Sequence, residues 1–133
     1  MRLNYMKWLI IILTILVILG VGGLTNYKQE ILKCSKKNNL CHVEKTNLFN
    51  MKSDKKIAEI SDIKKVSYIR QKVKGNLYAK GYTDYQLIFV TQDNSRKIIF
   101  SEIYFDYDSV HKKIVEVRKK LLSDDENFVI YKD

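Results

Sequence analysis

The chain has 133 residues, of which 46% are hydrophobic and 29% are charged, with 5 Gly and no Pro. This length and composition fit one small folded domain with a short additional segment; they exclude a large multidomain enzyme, a disordered tail and a Gly/Pro-rich filament. The net charge is +9, and it is uneven, because residues 28–80 contain 14 Lys/Arg and 5 Asp/Glu whereas residues 81–133 contain 8 and 10.

The first predicted element is an apolar helix near the N-terminus. Residues 8–24 contain no charged side chain, and Thr14 is their only polar one. As a helix they would be about 25 Å long, close to the lower limit for crossing a hydrocarbon core of about 30 Å. Trp8 and Tyr27 stand at its two ends, where aromatic side chains prefer the headgroup level. We predict a basic tail over 1–7, a transmembrane signal-anchor over 8–24 and a linker over 25–29.

A cleaved signal peptide is the alternative for the same segment. Arg2 and Lys7 form a basic start, the strongly apolar part is about 12 residues long, and small residues follow it. The two hypotheses stay open at this point. For the anchor, the short N-terminal tail and the cysteines favour an N-terminus inside and a domain outside the cell membrane, and cleavage would instead give a secreted domain.

The domain, residues 30–133, begins with a predicted hairpin. Cys34 and Cys41 flank a turn that contains Asn38 and Asn39, residues that tolerate left-handed backbone. If 31–35 and 40–46 pair around this turn, the two cysteines face each other at a separation that allows a disulfide. Two free thiols in a reducing compartment are the alternative.

The rest of the domain reads as short strands and one helix. Asp106 is a candidate helix cap, and Val110, Ile114, Val117 and Leu121 recur at helical spacing after it. The predicted strands are 56–60, 63–73, 85–91, 97–105 and 128–131. This order predicts an α+β fold, in which one C-terminal amphipathic helix covers a small antiparallel sheet or partial barrel.

Several of these features together resemble small membrane-anchored bacterial proteins with a PH-like domain. The resemblance covers about residues 30–131 and consists of the early cysteine hairpin, the run Glu59-Ile60-Ser61-Asp62-Ile63, the two paired strands and the helix near the C-terminus. The sequences around the two cysteines and the strand after the helix depart from that pattern. The resemblance implies a binding or scaffold module and names no ligand.

Cations and tyrosines concentrate in the predicted strand 63–73. Such a surface suits lipid headgroups or an acidic protein partner, and its alternative explanation is an edge strand that lysines protect against aggregation. Nucleic acid is not expected, because no helix-turn-helix, zinc or RNP motif is present. The predicted contact residues are Lys64, Lys65, Tyr68, Arg70, Lys72 and Lys74.

No group of residues in the sequence is sufficient to predict a catalytic reaction. His42 follows Cys41, but neighbours on a strand point to opposite faces and cannot share a proton. A metal site of Cys34, Cys41, His42 and His111 lacks the close paired spacing of zinc ligands. We expect a binding or assembly module without catalysis, metal or cofactor. The alternatives are a membrane immunity or accessory subunit and a small secreted hydrolase or metal-dependent enzyme.

Overall fold

The computed structural model describes residues 2–133, with the side chain of Arg2 left out. Helix α1, Arg2–Thr25, contains the predicted span 8–24 and begins earlier than predicted. It is long and apolar enough to cross a membrane, and only 6% of its most apolar 18-residue window is buried. A helix that is apolar on all sides and packs against little else has the properties of a membrane anchor or a signal sequence.

Seven strands and a second helix follow α1. A single turn of 3₁₀ helix, Ile60–Asp62, precedes the fourth strand. The elements are β1 Tyr27–Ser35, β2 Leu40–Asn47, β3 Lys52–Ala58, β4 Ile63–Val73, β5 Tyr82–Thr91, β6 Arg96–Ile98, α2 Tyr107–Leu122 and β7 Asn127–Tyr131.

The strands form two antiparallel sheets. One has four strands in the order β3-β2-β1-β7, and the other has three in the order β4-β5-β6. In the β1–β2 hairpin Cys34 lies opposite Cys41, as predicted, and the two form a disulfide with a Cα–Cα distance of 4.1 Å. Asn39 in the turn has a φ of 53°, the left-handed backbone expected there. The predicted hairpin and cysteine pair are confirmed.

Helix α2 closes one opening between the two sheets. Val110, Ile114 and Val117 are its buried residues, spaced as the predicted apolar stripe requires. Its polar face also covers the strand edges: Lys113 Nζ donates to Tyr131 O at 2.5 Å, and Arg118 donates to Val66 O at 3.0 Å. These strands, β7 and β4, are the outer strands of their sheets, so the helix occupies backbone acceptors that another chain would otherwise pair with.

The N-terminus of α2 is capped as predicted. Asp106 accepts a hydrogen bond from Ser109 N at 2.7 Å, and these amide and hydroxyl donors hold the pKa of the carboxyl below its usual value. The core between the sheets and α2 is a single cluster, and its largest fully buried side chains are Phe89, Phe100, Leu32, Leu87, Ile99 and Ile130. An α+β fold with antiparallel sheets and one C-terminal helix is therefore confirmed.

Several predicted boundaries are different in the structure. β1 begins at Tyr27, inside the stretch predicted as a linker, and β3 is Lys52–Ala58 rather than 56–60. The predicted strand 97–105 is wrong over most of its length, because β6 ends at Ile98. The chain leaves the sheet there because buried Glu30 accepts hydrogen bonds from the backbone amides of Ser101 and Glu102, which replace strand partners.

Candidate partner-binding site

The predicted contact residues all lie along β4 or just after it, but they do not form one cluster. Lys65 is opposite Val90 and Lys72 is opposite Thr83 in the β4–β5 register. Seven residues of strand separate Lys65 from Lys72, which is about 23 Å. The predicted surface therefore divides into two basic ends: Lys64 and Lys65 at the start of β4, and Arg70, Lys72 and Lys74 at its end.

Tyr68 lies between these two ends and is half-buried. Its ring contacts the rings of Tyr85 and Tyr107 edge to face, with centroid distances of 5.6 and 5.7 Å. His111 stacks on Tyr107 one turn further along α2. Because such pairs stabilise packing, the cluster holds the start of α2 against β4 and β5, and Tyr68 belongs to that contact.

A groove lies at the start of β4, where this strand meets the end of α2. It encloses about 390 Å³. Leu122, at the last turn of α2, is 87% exposed at its rim. The lining combines apolar residues, Ile60, Ile63, Val66, Leu121 and Leu122, with three cations, Lys64, Lys65 and Arg118.

Local structure explains why the groove forms. Asn39, in the β1–β2 turn, accepts from Ser61 N and donates to Ser61 Oγ, both at 2.8 Å, so the 3₁₀ turn before β4 is attached to that hairpin. The register of β4 shifts between Ile63 and Lys65. Helix α2 ends beside this irregular stretch, and β4 is the outer strand of its sheet, so no further strand covers the stretch. The uncovered space is the groove.

The cations of the groove have no carboxylate partner within the part of the chain that the structure describes. Lys64 Nζ donates to Asn94 Oδ1 at 2.9 Å, and Arg118 donates to a backbone carbonyl. Both acceptors are neutral. No Asp or Glu oxygen lies within 4.0 Å of Lys64, Lys65 or Arg118 over residues 2–133. An apolar floor with uncompensated positive charge at its rim can take a ligand that has both carboxylates and apolar side chains.

The other basic end of β4 continues into the loop 74–81. Gly75 and Gly81 pack backbone against backbone at its neck, where a Cβ on Gly81 would lie 2.7 Å from Gly75 N. The tip is ordered, because Asn76 Oδ1 accepts from the amides of Tyr78 and Ala79 at 2.8 Å. Leu77 and Tyr78 at the tip are 98% and 96% exposed.

A further basic groove, which the sequence analysis missed, lies between the edge strands β3 and β6. It encloses about 310 Å³, and four cations line it with two isoleucines. The signal available in the sequence was a repeated pattern of two basic residues before Ile. The pattern occurs in this groove as Lys55-Lys56-Ile57 and as Arg96-Lys97-Ile98, and a third time on α2 as Lys112-Lys113-Ile114.

The residues considered for catalysis or metal binding are not brought together. Both cysteines are in the disulfide, so neither is a free thiolate for a nucleophile or a metal. His42 lies on the half-exposed face of β2, 3.7 Å from Asp54, and His111 stacks on Tyr107. Within residues 2–133 no group of three or more His, Cys, Asp or Glu side chains is arranged to hold a metal ion.

Comparisons with protein-family models, with curated proteins and with solved structures found no match to this chain. The function is therefore inferred from the geometry of the site.

Proposed function

We propose that this chain is a single-pass membrane protein whose extracytoplasmic domain, residues 30–133, is a non-catalytic binding module. Its ligand is an acidic segment of a partner protein, which the groove between β4 and α2 takes up. The observation that carries this proposal is the uncompensated charge of Lys64, Lys65 and Arg118 around an apolar floor. Carboxylates from outside the chain would neutralise these cations.

Helix α1 supports the membrane part of the proposal. Its apolar residues are exposed on all sides, with Leu9 60% and Leu19 64% exposed. Transfer of that surface from water into a bilayer is favourable by about 25 cal/mol per Å² of apolar surface buried. The disulfide supports an oxidising compartment for the domain, and with it the N-in, C-out orientation.

The position of the groove favours a protein over the lipid of the same bilayer. α1 joins the start of β1, whereas the groove is attached through Ser61 to Asn39, in the turn beyond the end of β1. The nine residues of β1 span about 27 Å. The field of charged headgroups falls off within a Debye length of about 10 Å, so it has little effect on Lys64 and Lys65.

The PH-like resemblance remains part of the proposal. Two antiparallel sheets with one helix packed on them support it, and β7 is the departure, because this strand follows α2 and pairs with β1. A module of this class would act by binding or assembly, and an accessory subunit of a membrane complex would use the same groove.

Site-specific photocrosslinking in native membranes tests the proposed groove. A benzoylphenylalanine at Leu122, at the groove rim, should give one discrete adduct with a partner protein. The matched control places the same photoreactive residue at Lys55, which is exposed on the edge strand β3 of the other sheet. The crosslinked peptide of the partner should contain Asp or Glu beside an apolar residue.

Charge reversal distinguishes specific binding at the groove from nonspecific association. Lys64→Glu with Lys65→Glu should abolish the Leu122 adduct, whereas Lys55→Glu should leave it. Equal adducts from Leu122 and Lys55, or an adduct that survives reversal of Lys64 and Lys65, would refute the groove as the binding site.

The membrane part of the proposal has a separate test. Full-length protein should stay in the pellet after alkaline carbonate extraction and should retain its N-terminus by intact mass. Recovery of a chain that starts near Leu24 would instead identify a cleaved signal peptide and a secreted domain.

A further inference from the structure

The turn between β2 and β3, residues 48–51, lies against the last turn of α1. Leu48 N donates to Gly23 O at 3.1 Å. The ring of Phe49 packs directly on Gly23, where any side chain on the helix would overlap it. This turn is therefore fixed at the level at which α1 ends.

Hydrogen bonds hold the turn, and its apolar side chains are largely exposed. Buried Asn47 accepts hydrogen bonds through Oδ1 from Phe49 N at 2.9 Å and from Met51 N at 3.0 Å. Asn50 has a φ of 62°, which completes the tight turn. Leu48, Phe49 and Met51 are nevertheless 53%, 54% and 57% exposed. Three exposed large apolar side chains on one short turn are costly in water.

Cations and an aromatic ring surround this turn. Lys28 donates to Asn50 Oδ1 across the base of the turn, and Lys52 follows it with 68% of its side chain exposed. Lys45 lies 5.1 Å above the ring of Tyr27, the residue expected at the headgroup level. Apolar side chains surrounded by cations and an aromatic ring match a bilayer surface, in which the acyl chains take apolar groups and the anionic headgroups attract cations.

The position of the turn relative to α1 sets its depth. Gly23 is two residues before the end of α1, which corresponds to about 3 Å along the helix axis. If α1 spans the bilayer, its last turn lies at the boundary between acyl chains and headgroups, and Phe49 lies there with it. Because the ring and Gly23 are in contact, the ring stays at the same depth in the bilayer as the last turn of α1.

We propose that residues 48–51 form a second membrane contact, a loop that inserts Leu48, Phe49 and Met51 into the bilayer interface beside α1. Together with α1 it gives the domain two attachment points, so the domain cannot rotate freely about the anchor. The groove between β4 and α2 is then held on the side away from the bilayer. This inference rests on the proposed membrane anchoring of α1.

A single-tryptophan experiment on the full chain tests the loop. Trp8 is the only tryptophan, so Trp8→Phe gives a background without one. In that background Phe49→Trp is reconstituted into phosphatidylcholine and phosphatidylglycerol vesicles that carry brominated acyl chains. The emission of this tryptophan should shift to the blue and lose intensity, most strongly with bromine placed near the headgroups.

The matched control is Asn38→Trp, in the exposed β1–β2 turn at the far end of the hairpin from α1. Its emission should remain that of tryptophan in water and should not be quenched. Met51→Trp serves as a second reporter in case Phe49→Trp folds poorly, and formation of the Cys34–Cys41 disulfide reports folding in each variant.

The outcomes separate this inference from the proposed function. Protein that carbonate removes from the vesicles would refute the anchor and the loop together. Protein that resists carbonate, with Phe49→Trp and Met51→Trp as water-exposed as Asn38→Trp, would refute the inserted loop alone. Quenching of both loop reporters without quenching of Asn38→Trp supports it.

Discussion

The two sheets of the domain carry their charges in different ways. On the four-stranded sheet, Lys33 Nζ lies 2.8 Å from Glu44 Oε2, and Lys52 approaches the same carboxylate at 3.8 Å. Lys45 lies 3.8 Å from buried Glu30. On the three-stranded sheet, the cations of β4 and of the loop after it have no carboxylate within 4.0 Å among residues 2–133.

We propose that the two sheets have different roles. The four-stranded sheet joins α1, contains the disulfide and pairs Lys33, Lys45 and Lys52 with its own carboxylates, so in the proposed function it is the scaffold beside the membrane. On the three-stranded sheet, the exposed cations of β4 follow one another along the strand without such pairs among residues 2–133. In the proposed function, a partner supplies the counter-charges. Variants on the two sheets distinguish these roles.

The largest effect is expected at Glu30, which links the scaffold sheet to the chain after β6. Its carboxylate accepts from Ser101 N at 2.9 Å, from Ser101 Oγ at 2.6 Å and from Glu102 N at 3.2 Å. Glu30→Ala leaves buried donors and Lys45 without their acceptor, and we expect a loss of about 3–5 kcal/mol in the free energy of unfolding. Urea denaturation of the full chain in detergent, followed by tyrosine circular dichroism, measures it.

Glu30→Gln is the control for that change, because the amide oxygen still accepts from Ser101 and the shape is retained. We expect it to cost clearly less than Glu30→Ala. Equal stability of Glu30→Ala and wild type would show that the two sheets do not depend on this carboxylate.

The disulfide should give the next largest effect. Cys34 and Cys41 are buried and close a short loop, for which chain-entropy estimates give about 2–3 kcal/mol. The double variant Cys34→Ala, Cys41→Ala should therefore unfold at a lower urea concentration by that amount. Intact mass under non-reducing conditions should show the wild-type cysteines linked. Two free thiols in native protein would contradict both the bridge and the oxidising compartment.

A smaller effect is expected from pH at Glu44. The hydrogen bond from Lys33 lowers the pKa of the Glu44 carboxyl below its ordinary value of 4.5. A carboxyl with a lowered pKa in the folded state stabilises the protein above its ordinary pKa, and this contribution is lost as the pH falls through the lowered one. The urea midpoint should fall between pH 6 and about pH 3 less steeply in Glu44→Gln than in wild type.

Lys65→Gln, on the other sheet, provides the contrast, because no carboxylate among residues 2–133 lies within 4.0 Å of Lys65. Its pH profile should follow that of wild type. A Lys65→Gln profile as flattened as that of Glu44→Gln would mean that the two sheets use their charges alike.

Local patterns were sufficient to predict the β1–β2 hairpin and α2. A turn with Asn39 and two cysteines at matched positions defined the hairpin register, and a cap at Asp106 before a regular apolar stripe defined the helix. Both depend on residues that are close in sequence. The strand predicted over 97–105 failed because a contact 71 residues away, from Glu30 to Ser101, decides where β6 ends.

The groove was only partly predictable for the same reason. Lys64 and Lys65 were recognised on β4, but Arg118, Leu121 and Leu122 come from a helix more than 50 residues later in the chain. Tyr68 was predicted as a contact residue from its place among cations. Its ring packs against Tyr85 and Tyr107, which only the tertiary fold brings to it.

One measurement tests the central claim most directly, namely that the cations at the start of β4 serve a partner and not the fold. Wild type and the Lys64→Glu, Lys65→Glu variant are extracted from native membranes in mild detergent and compared for complex size and for urea midpoint. We predict that the variant loses the larger complex and keeps the wild-type midpoint. A complex that persists in the variant, or a midpoint that falls with it, would contradict the account.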